Sequence, residues 1–251
     1  MIWVIIFFSL VGGLFSLIGG ALLLLKRRLS HTTMLTLISF AAGVLLSVSF
    51  ADLLPESLEL FEEKGLDTSQ LFLWPLLAIV GFFFFERSFV WFHHHHGPHE
   101  DQPAPIIPMV WMGDTLHNFV DGIVITASFL ISIPLGITTS LAVAAHEIPQ
   151  EFADFSLYLS KGVAKRKVLL LNILSSLATT VAAIFTFLFR ESLDIIQPQL
   201  LAFTAGMFMY IACSDLIPEL HHEYKKSSVW LQTVSFFLGL FLTAGLRILL
   251  E

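Results

Sequence analysis

HEIPQEFADF (146–155) follows directly on GITTSLAVAA (136–145) and leads into SLYLS (156–160). Four of its ten residues are ionisable, a fifth is proline, and the chain around it is almost wholly apolar. The chain has 251 residues, is 56% hydrophobic with 25 Phe, and is only 13% charged. Its mean hydropathy is +0.82. A soluble domain carries about 25% charged residues. Half that, distributed over apolar runs of about 20 residues, specifies an all-α integral membrane protein. HEIPQE therefore belongs inside a membrane helix, where charge is expensive.

Eight spans are expected, near 2–25, 34–55, 71–92, 106–130, 135–159, 167–189, 199–220 and 229–249. Each approximates the length a helix needs to cross about 30 Å of hydrocarbon. The first has no basic flank before it and Lys26, Arg27 and Arg28 after it, so it reads as a retained helix with the N-terminus outside. Counting alternate connections then places ten basic residues inside and three (Lys64, Arg190, Arg247) outside. Both termini are expected to be extracytoplasmic. The basic residues are scattered among the loops, so the net charge of −7 speaks for no nucleic-acid partner; the bilayer is the expected surroundings. A single cysteine, Cys213, excludes an intrachain disulfide and CxxC chemistry.

FAAGVLLSVSFADLLPE (40–56) aligns without gaps to FTAGMFMYIACSDLIPE (203–219), with seven of 17 positions identical. These are spans two and seven, which run in opposite directions. Inverted repeats of this kind place a binding site near the midplane. The expected arrangement is 3+2+3, with spans 1–3 and 6–8 as repeats, spans four and five as a central pair, and the whole of 1–251 as a single transmembrane transporter domain.

The central pair holds the polar residues. In GDTLHNFVDG (113–122), His117 and Asp121 are one helical turn apart, with Asp114 a turn earlier. In span five, His146 and Gln150 form one such pair and Glu147 and Glu151 another. Glu147, Glu151 and Asp154 unpaired at the bilayer centre would cost about 8–10 kcal/mol. They must be protonated, hydrated or bound to a cation. Imidazole and carboxylate on two facing helices suit Zn²⁺, and also Fe²⁺, Mn²⁺ or Cd²⁺. Pro149 removes the helical bond to the Ala145 carbonyl and favours a kink there, while Gly122 permits close helix approach.

HNFVDG and HEIPQEFADF together resemble the paired signature of the ZIP family of divalent-metal transporters, HN-x-x-DG and HE-x-P-H-E. AGMFMYIACSDLIPEL (205–220) and the His-rich loop before span four are similar too, and the resemblance covers essentially the whole chain. It implies uptake of zinc, or a related divalent ion, toward the cytoplasm across the cell membrane (plasma or inner). Carried over position by position, the metal centre is His117, Asn118, Asp121, His146, Glu147 and Gln150. Gln150 departs from the pattern, which has His there. An amide is a poorer zinc ligand than imidazole.

Further candidates line the expected path. Asp114 and Glu151 neighbour the centre. Asp52 and Glu56 sit at the outer end of span two, and Asp215, Glu219 and His221 at the inner end of span seven. His93, His94, His95, His96 and His99 belong to a cytoplasmic loop at about 93–105, suited to weak metal capture. The competing class is an intramembrane zinc metalloprotease of the HExxH type, which fails because the second His is Gln150. A membrane metal sensor using the same centre is a third reading. The sequence leaves a homodimer open.

Overall fold

The first apolar run folds as two helices, α1 (Ile2–Gly12) and α2 (Leu17–Leu24), where one span was expected. Gly13 breaks the run. Its φ and ψ of −86° and −81° leave the helix, and a Cβ there would stand 2.6 Å from the Ser176 carbonyl oxygen. The structure, a computed structural model, describes residues 1–24, 30–94, 106–222 and 229–250.

Ser30 caps α3 (His31–Ser47), its hydroxyl accepting the Thr33 N–H at 3.0 Å. A π-helical turn, Val48–Leu53, leads straight into α4 (Leu54–Glu63). This stretch outruns the expected span by a helical tail in which Ser57 and Phe61 face inward and Glu59, Glu62 and Glu63 face out. A 3₁₀ turn at Thr68–Gln70 precedes α5 (Leu73–His94). Next come α6 (Ile106–Ile131), α7 (Ile133–Ser160) and α8 (Lys165–Leu188). The last long stretch begins nine residues before its expected start. It comprises α9 (Arg190–Leu193), a 3₁₀ turn, α10 (Gln197–Tyr210), a second π turn at Ile211–Leu216, and α11 (Ile217–His222). The described chain closes with α12 (Val229–Leu250). Among the described residues there is no strand.

The two π turns occupy equivalent places in the two repeat copies, and proline accounts for both. The rings of Pro55 and Pro218 would strike the carbonyls four residues back, Ala51 and Ser214. Widening the turn before each proline moves that carbonyl away without ending the helix.

Packing repeats the same symmetry. α3 lies along α12, and α10 along α5. The repeat offset converts one seam into the other. Glycine marks both: a Cβ on Gly43 would collide with the Phe236 carbonyl of α12, and one on Gly206 with the Pro75 carbonyl of α5. Gly43 and Gly206 are the same residue of the repeat. The copies also touch directly, where the Ser49 hydroxyl donates to the Ala205 carbonyl at 3.2 Å.

The main core joins both repeats to the central pair through Ile5, Val48, Ile125, Val143, Leu201 and Phe208. Outside, large apolar side chains such as Trp3, Phe72, Phe84, Phe185 and Leu238 are exposed. A surface of that kind fits lipid. Among the described residues, three helical stretches, His31–Glu63, Lys165–Leu188 and Arg190–His221, are long and apolar enough to cross a membrane.

Candidate metal centre

Only Ser132 separates α6 from α7. Its extended backbone reverses the chain and its hydroxyl accepts the Leu135 N–H at 3.3 Å, with Pro134 in the first turn. The result is a helical hairpin that faces residues nearly equidistant from the turn, His117 with His146. At its far end α7 stops at Lys161 and Gly162. Gly162 has φ +76°, and the Val163 N–H reaches back to the Tyr158 carbonyl at 3.1 Å, which favours glycine there. Between these ends α7 continues past Pro149 without leaving the helix.

His117, Asp121, His146 and Glu147 each contribute one ligand atom to a group whose members all lie within 4.8 Å of one another. The Nε2 atoms of His117 and His146 are 3.2 Å apart. His117 Nε2 is 3.7 Å from Asp121 Oδ2 and 3.6 Å from Glu147 Oε1. His146 Nε2 is 3.5 Å and 3.9 Å from the same two oxygens. A tetrahedral zinc with ligands at 2.0–2.1 Å has ligand–ligand edges of about 3.3–3.4 Å. These five separations, 3.2–3.9 Å, lie near or a few tenths of an ångström above those edges. His146 Nδ1 is 3.0 Å from the Ala142 carbonyl. With its proton on Nδ1 donated there, Nε2 keeps its lone pair for a cation.

Burial makes the arrangement costly. Asp121 and Glu147 are fully buried, and no oxygen of either accepts a hydrogen bond. Buried charge of this kind is normally paired or metal-bound. A second group, Asp114, Glu147 and Glu151, meets the same distance criterion and shares Glu147 with the first.

Asn118 is fully buried and acts between helices. Its Nδ2 donates to Asp114 Oδ1 at 2.9 Å, and its Oδ1 accepts the Thr179 hydroxyl of α8 at 2.7 Å. Gln150 is half-buried one turn beyond His146. Gly122 lies against the Thr179 carbonyl, so α6 and α8 meet backbone to backbone beside the site.

The outlying candidates lie apart from these two groups. Asp52 is buried within the first π turn and Glu56 is half-buried in α4. Asp215, Glu219 and His221 are exposed on the second π turn and α11. His93 and His94 end α5, while His95, His96 and His99 lie outside the described residues. Of the α8 side of the centre sequence reading singles out only Thr179, and not Ser176, which donates its hydroxyl to Glu151 Oε1 at 2.8 Å. The signal was present: Asn172, Ser175, Ser176 and Thr179 follow the i, i+3, i+4, i+7 spacing of one helix face, and all four are buried.

An all-helical, lipid-compatible body with a buried imidazole–carboxylate cluster between its helices defines a membrane protein equipped to handle a metal cation. The chain belongs to the family described as ZIP zinc transporter, whose profile it matches over residues 1–108 and 93–247. It is similar to "Zinc transporter foi" of Drosophila melanogaster, 36% identical over 155 residues, which is 62% of this chain and 21% of that protein. It is also similar to human "Zinc transporter ZIP10", 37% identical over 143 residues, 53% of this chain and 17% of that protein. A further relative, "Metal cation symporter ZIP8" of Rattus norvegicus, is 34% identical over 144 residues, 57% of this chain and 30% of that protein. The matched regions thus span less than a third of the length of these relatives. The family is one of transporters, not enzymes.

Proposed function

We propose that the chain carries zinc across the cell membrane toward the cytoplasm through the cluster on α6 and α7, with Fe²⁺, Mn²⁺ and Cd²⁺ as competing substrates. The observation that carries this reading is the four-atom group of His117, Asp121, His146 and Glu147, three of them buried and all four ligand atoms within 4.8 Å of one another. Asn118 and Gln150 complete the site, the first by holding Asp114 and the second as an amide oxygen beside the ion. In this reading the whole of 1–251 is one transport domain crossing the membrane eight times with both termini outside. The basic residues between α7 and α8 (Lys161, Lys165, Arg166, Lys167) mark the cytoplasmic end. Asp52 and Glu56 then line the outer mouth and Asp215, Glu219 and His221 the inner one, while His93, His94, His95, His96 and His99 serve weak metal capture in a cytoplasmic loop. The proposal accommodates a homodimer and does not depend on one.

Family membership and Gln150, which replaces the second histidine an HExxH protease needs, both weigh against proteolysis. The test is metal uptake into vesicles reconstituted with the purified protein, comparing wild type with His146→Ala and Glu147→Gln. Zinc entry that both substitutions abolish supports transport through this centre. Zinc binding without entry would instead make the chain a sensor.

A further inference from the structure

The stretch that joins α8 to α10 mixes charged and large apolar side chains at the surface. Phe185, Leu188, Phe189, Ile195 and Ile196 are exposed, and the Phe185 and Phe189 rings stack with centroids 6.3 Å apart. Among them stand Arg190, Glu191 and Asp194, also exposed. Aromatic and apolar side chains interleaved with charge mark the level where hydrocarbon meets lipid headgroups.

At this level lies a cavity of about 160 Å³. That is far more than the roughly 10–15 Å³ a single water needs. Ala127 and Leu130 of α6 and Leu200 of α10 give it an apolar lining, while Arg190, Glu191 and Asp194 give it charge. Asp194 is already balanced, its Oδ1 accepting from Lys64 Nζ at 3.3 Å. Arg190 is held but not neutralised. Its guanidinium lies 4.7 Å over the Phe187 ring and donates one N–H to the Phe187 carbonyl at 3.1 Å, which leaves the rest of its five donors open. Among the described residues neither Arg190 nor Glu191 has an ion-pair partner, although both line the same cavity. Gln197, a further lining residue, opens α10, a 14-residue helix whose N-terminus has no side-chain cap. Uncapped N–H groups beside a guanidinium attract an anion, and Glu191 attracts a cation to the same cavity.

We propose that this cavity binds the headgroup of a zwitterionic phospholipid carrying a primary ammonium, of the phosphatidylethanolamine class. The phosphate takes the Arg190 guanidinium and the N-terminus of α10, the ammonium takes the Glu191 carboxylate, and the acyl chains run along Phe185, Leu188 and Phe189. Charge selects among lipids here. A purely anionic headgroup satisfies Arg190 and leaves Glu191 facing a second negative charge. A choline headgroup matches both charges, but its quaternary nitrogen has no N–H to donate. An ethanolamine ammonium has three, as a lysine does, and makes charge-assisted hydrogen bonds to the carboxylate. A lipid so held ties the Leu130 end of α6, the helix that carries His117 and Asp121, to α10 in the second repeat. The proposal requires only a membrane protein and holds whatever the α6–α7 cluster does.

The experiment is native mass spectrometry of the purified full-length chain in detergent, titrated separately with dioleoyl phosphatidylethanolamine, phosphatidylcholine and phosphatidylglycerol, so that only the headgroup varies. The first ethanolamine lipid is expected to bind at least about tenfold more tightly than the first of either other kind, as one charge-assisted hydrogen bond allows. Arg190→Gln should weaken all three, because all three carry the phosphate. Glu191→Gln should weaken the ethanolamine lipid alone and bring it level with the choline lipid. Phosphoethanolamine, the headgroup without its chains, should leave the bound lipid in place at equal concentration. Equal binding of the three lipids, a preference that survives Glu191→Gln, binding indifferent to Arg190→Gln, or displacement by free phosphoethanolamine would each overturn the assignment.

Discussion

Thr179→Val tests whether α8 positions the centre or merely packs beside it. The substitution is nearly isosteric and deletes one hydroxyl, the donor to Asn118 Oδ1 at 2.7 Å in a fully buried setting. That oxygen would be left without a donor, and leaving a buried acceptor unpaired costs about 1–3 kcal/mol. For a chain of 150–250 residues each kcal/mol displaces the midpoint of thermal unfolding by about 2–4 °C, so a fall of about 2–12 °C is expected. The chain's five Trp give the signal for scanning fluorimetry in detergent. Thr179→Ser keeps the hydroxyl and loses only a buried methyl, worth about 0.8 kcal/mol, so it should melt above Thr179→Val. The loss should also spread to Asp114, since Asn118 anchors its Oδ1. Zinc uptake should therefore fall in Thr179→Val and recover in Thr179→Ser. Valine and serine variants that melt and transport alike would refute the relay, because only the hydroxyl distinguishes them in hydrogen bonding.

Gly43→Ala and Gly206→Ala should each destabilise by about 1–3 kcal/mol, because the new methyl meets a neighbouring backbone carbonyl in both repeat copies. Melting shifts that differ widely between the two would count against the paired seams. Gly122→Ala pushes against the Thr179 carbonyl and should part α6 from α8, read as a lower melting midpoint together with weaker zinc binding. Gln150→His adds an imidazole one turn from His146 and should raise zinc preference over Mn²⁺ in a competition uptake assay; an unchanged ratio would remove Gln150 from the centre.

The repeat shows why some of this architecture was legible in the sequence. Asp-Leu-x-Pro-Glu recurs at a fixed distance from Ala-Gly, and each of those residues does a local job that leaves a trace. The proline widens the turn before it, and the glycine admits a neighbouring backbone. The pairing of His117 with His146 was legible too, because i, i+4 spacing puts ligands on one face and a short turn puts two faces together. Other features left weaker traces. The break at Gly13 looks like any glycine in an apolar run, since its cause is the Ser176 carbonyl of a distant helix. The tails of α4 and α9 lie where hydropathy falls but amphipathic packing continues, as with the Ser57 hydroxyl donating to the Pro198 carbonyl at 2.7 Å. Hydropathy registers transfer to lipid and does not register that contact.

The energetic pattern around α6 and α7 argues that the cluster is functional and not incidental helix glue. Helix association through side-chain hydrogen bonds is served by Ser, Thr and Asn, and the protein uses them at its other seams: Ser49 to Ala205, Thr126 to Ala183, Ser235 to Thr36. Each of those links neutral groups. Asp114, Asp121, Glu147 and Glu151 instead place four carboxyl groups at 5% exposure or less. At the centre of a membrane each costs about 2.5–3.5 kcal/mol when charged. Together they rival the entire stability of a folded domain, about 5–15 kcal/mol. Replacing any one by an apolar residue would ease folding, so stability alone does not account for them. A divalent cation reverses the sign, because the same unpaired oxygens that oppose folding become its ligands. Saturating zinc should accordingly raise the melting midpoint of wild type, with stabilisation growing as the logarithm of free metal above its dissociation constant. His146→Ala should flatten that dependence. A wild-type melting midpoint indifferent to zinc would mean that the buried carboxyls are neutralised by protons instead.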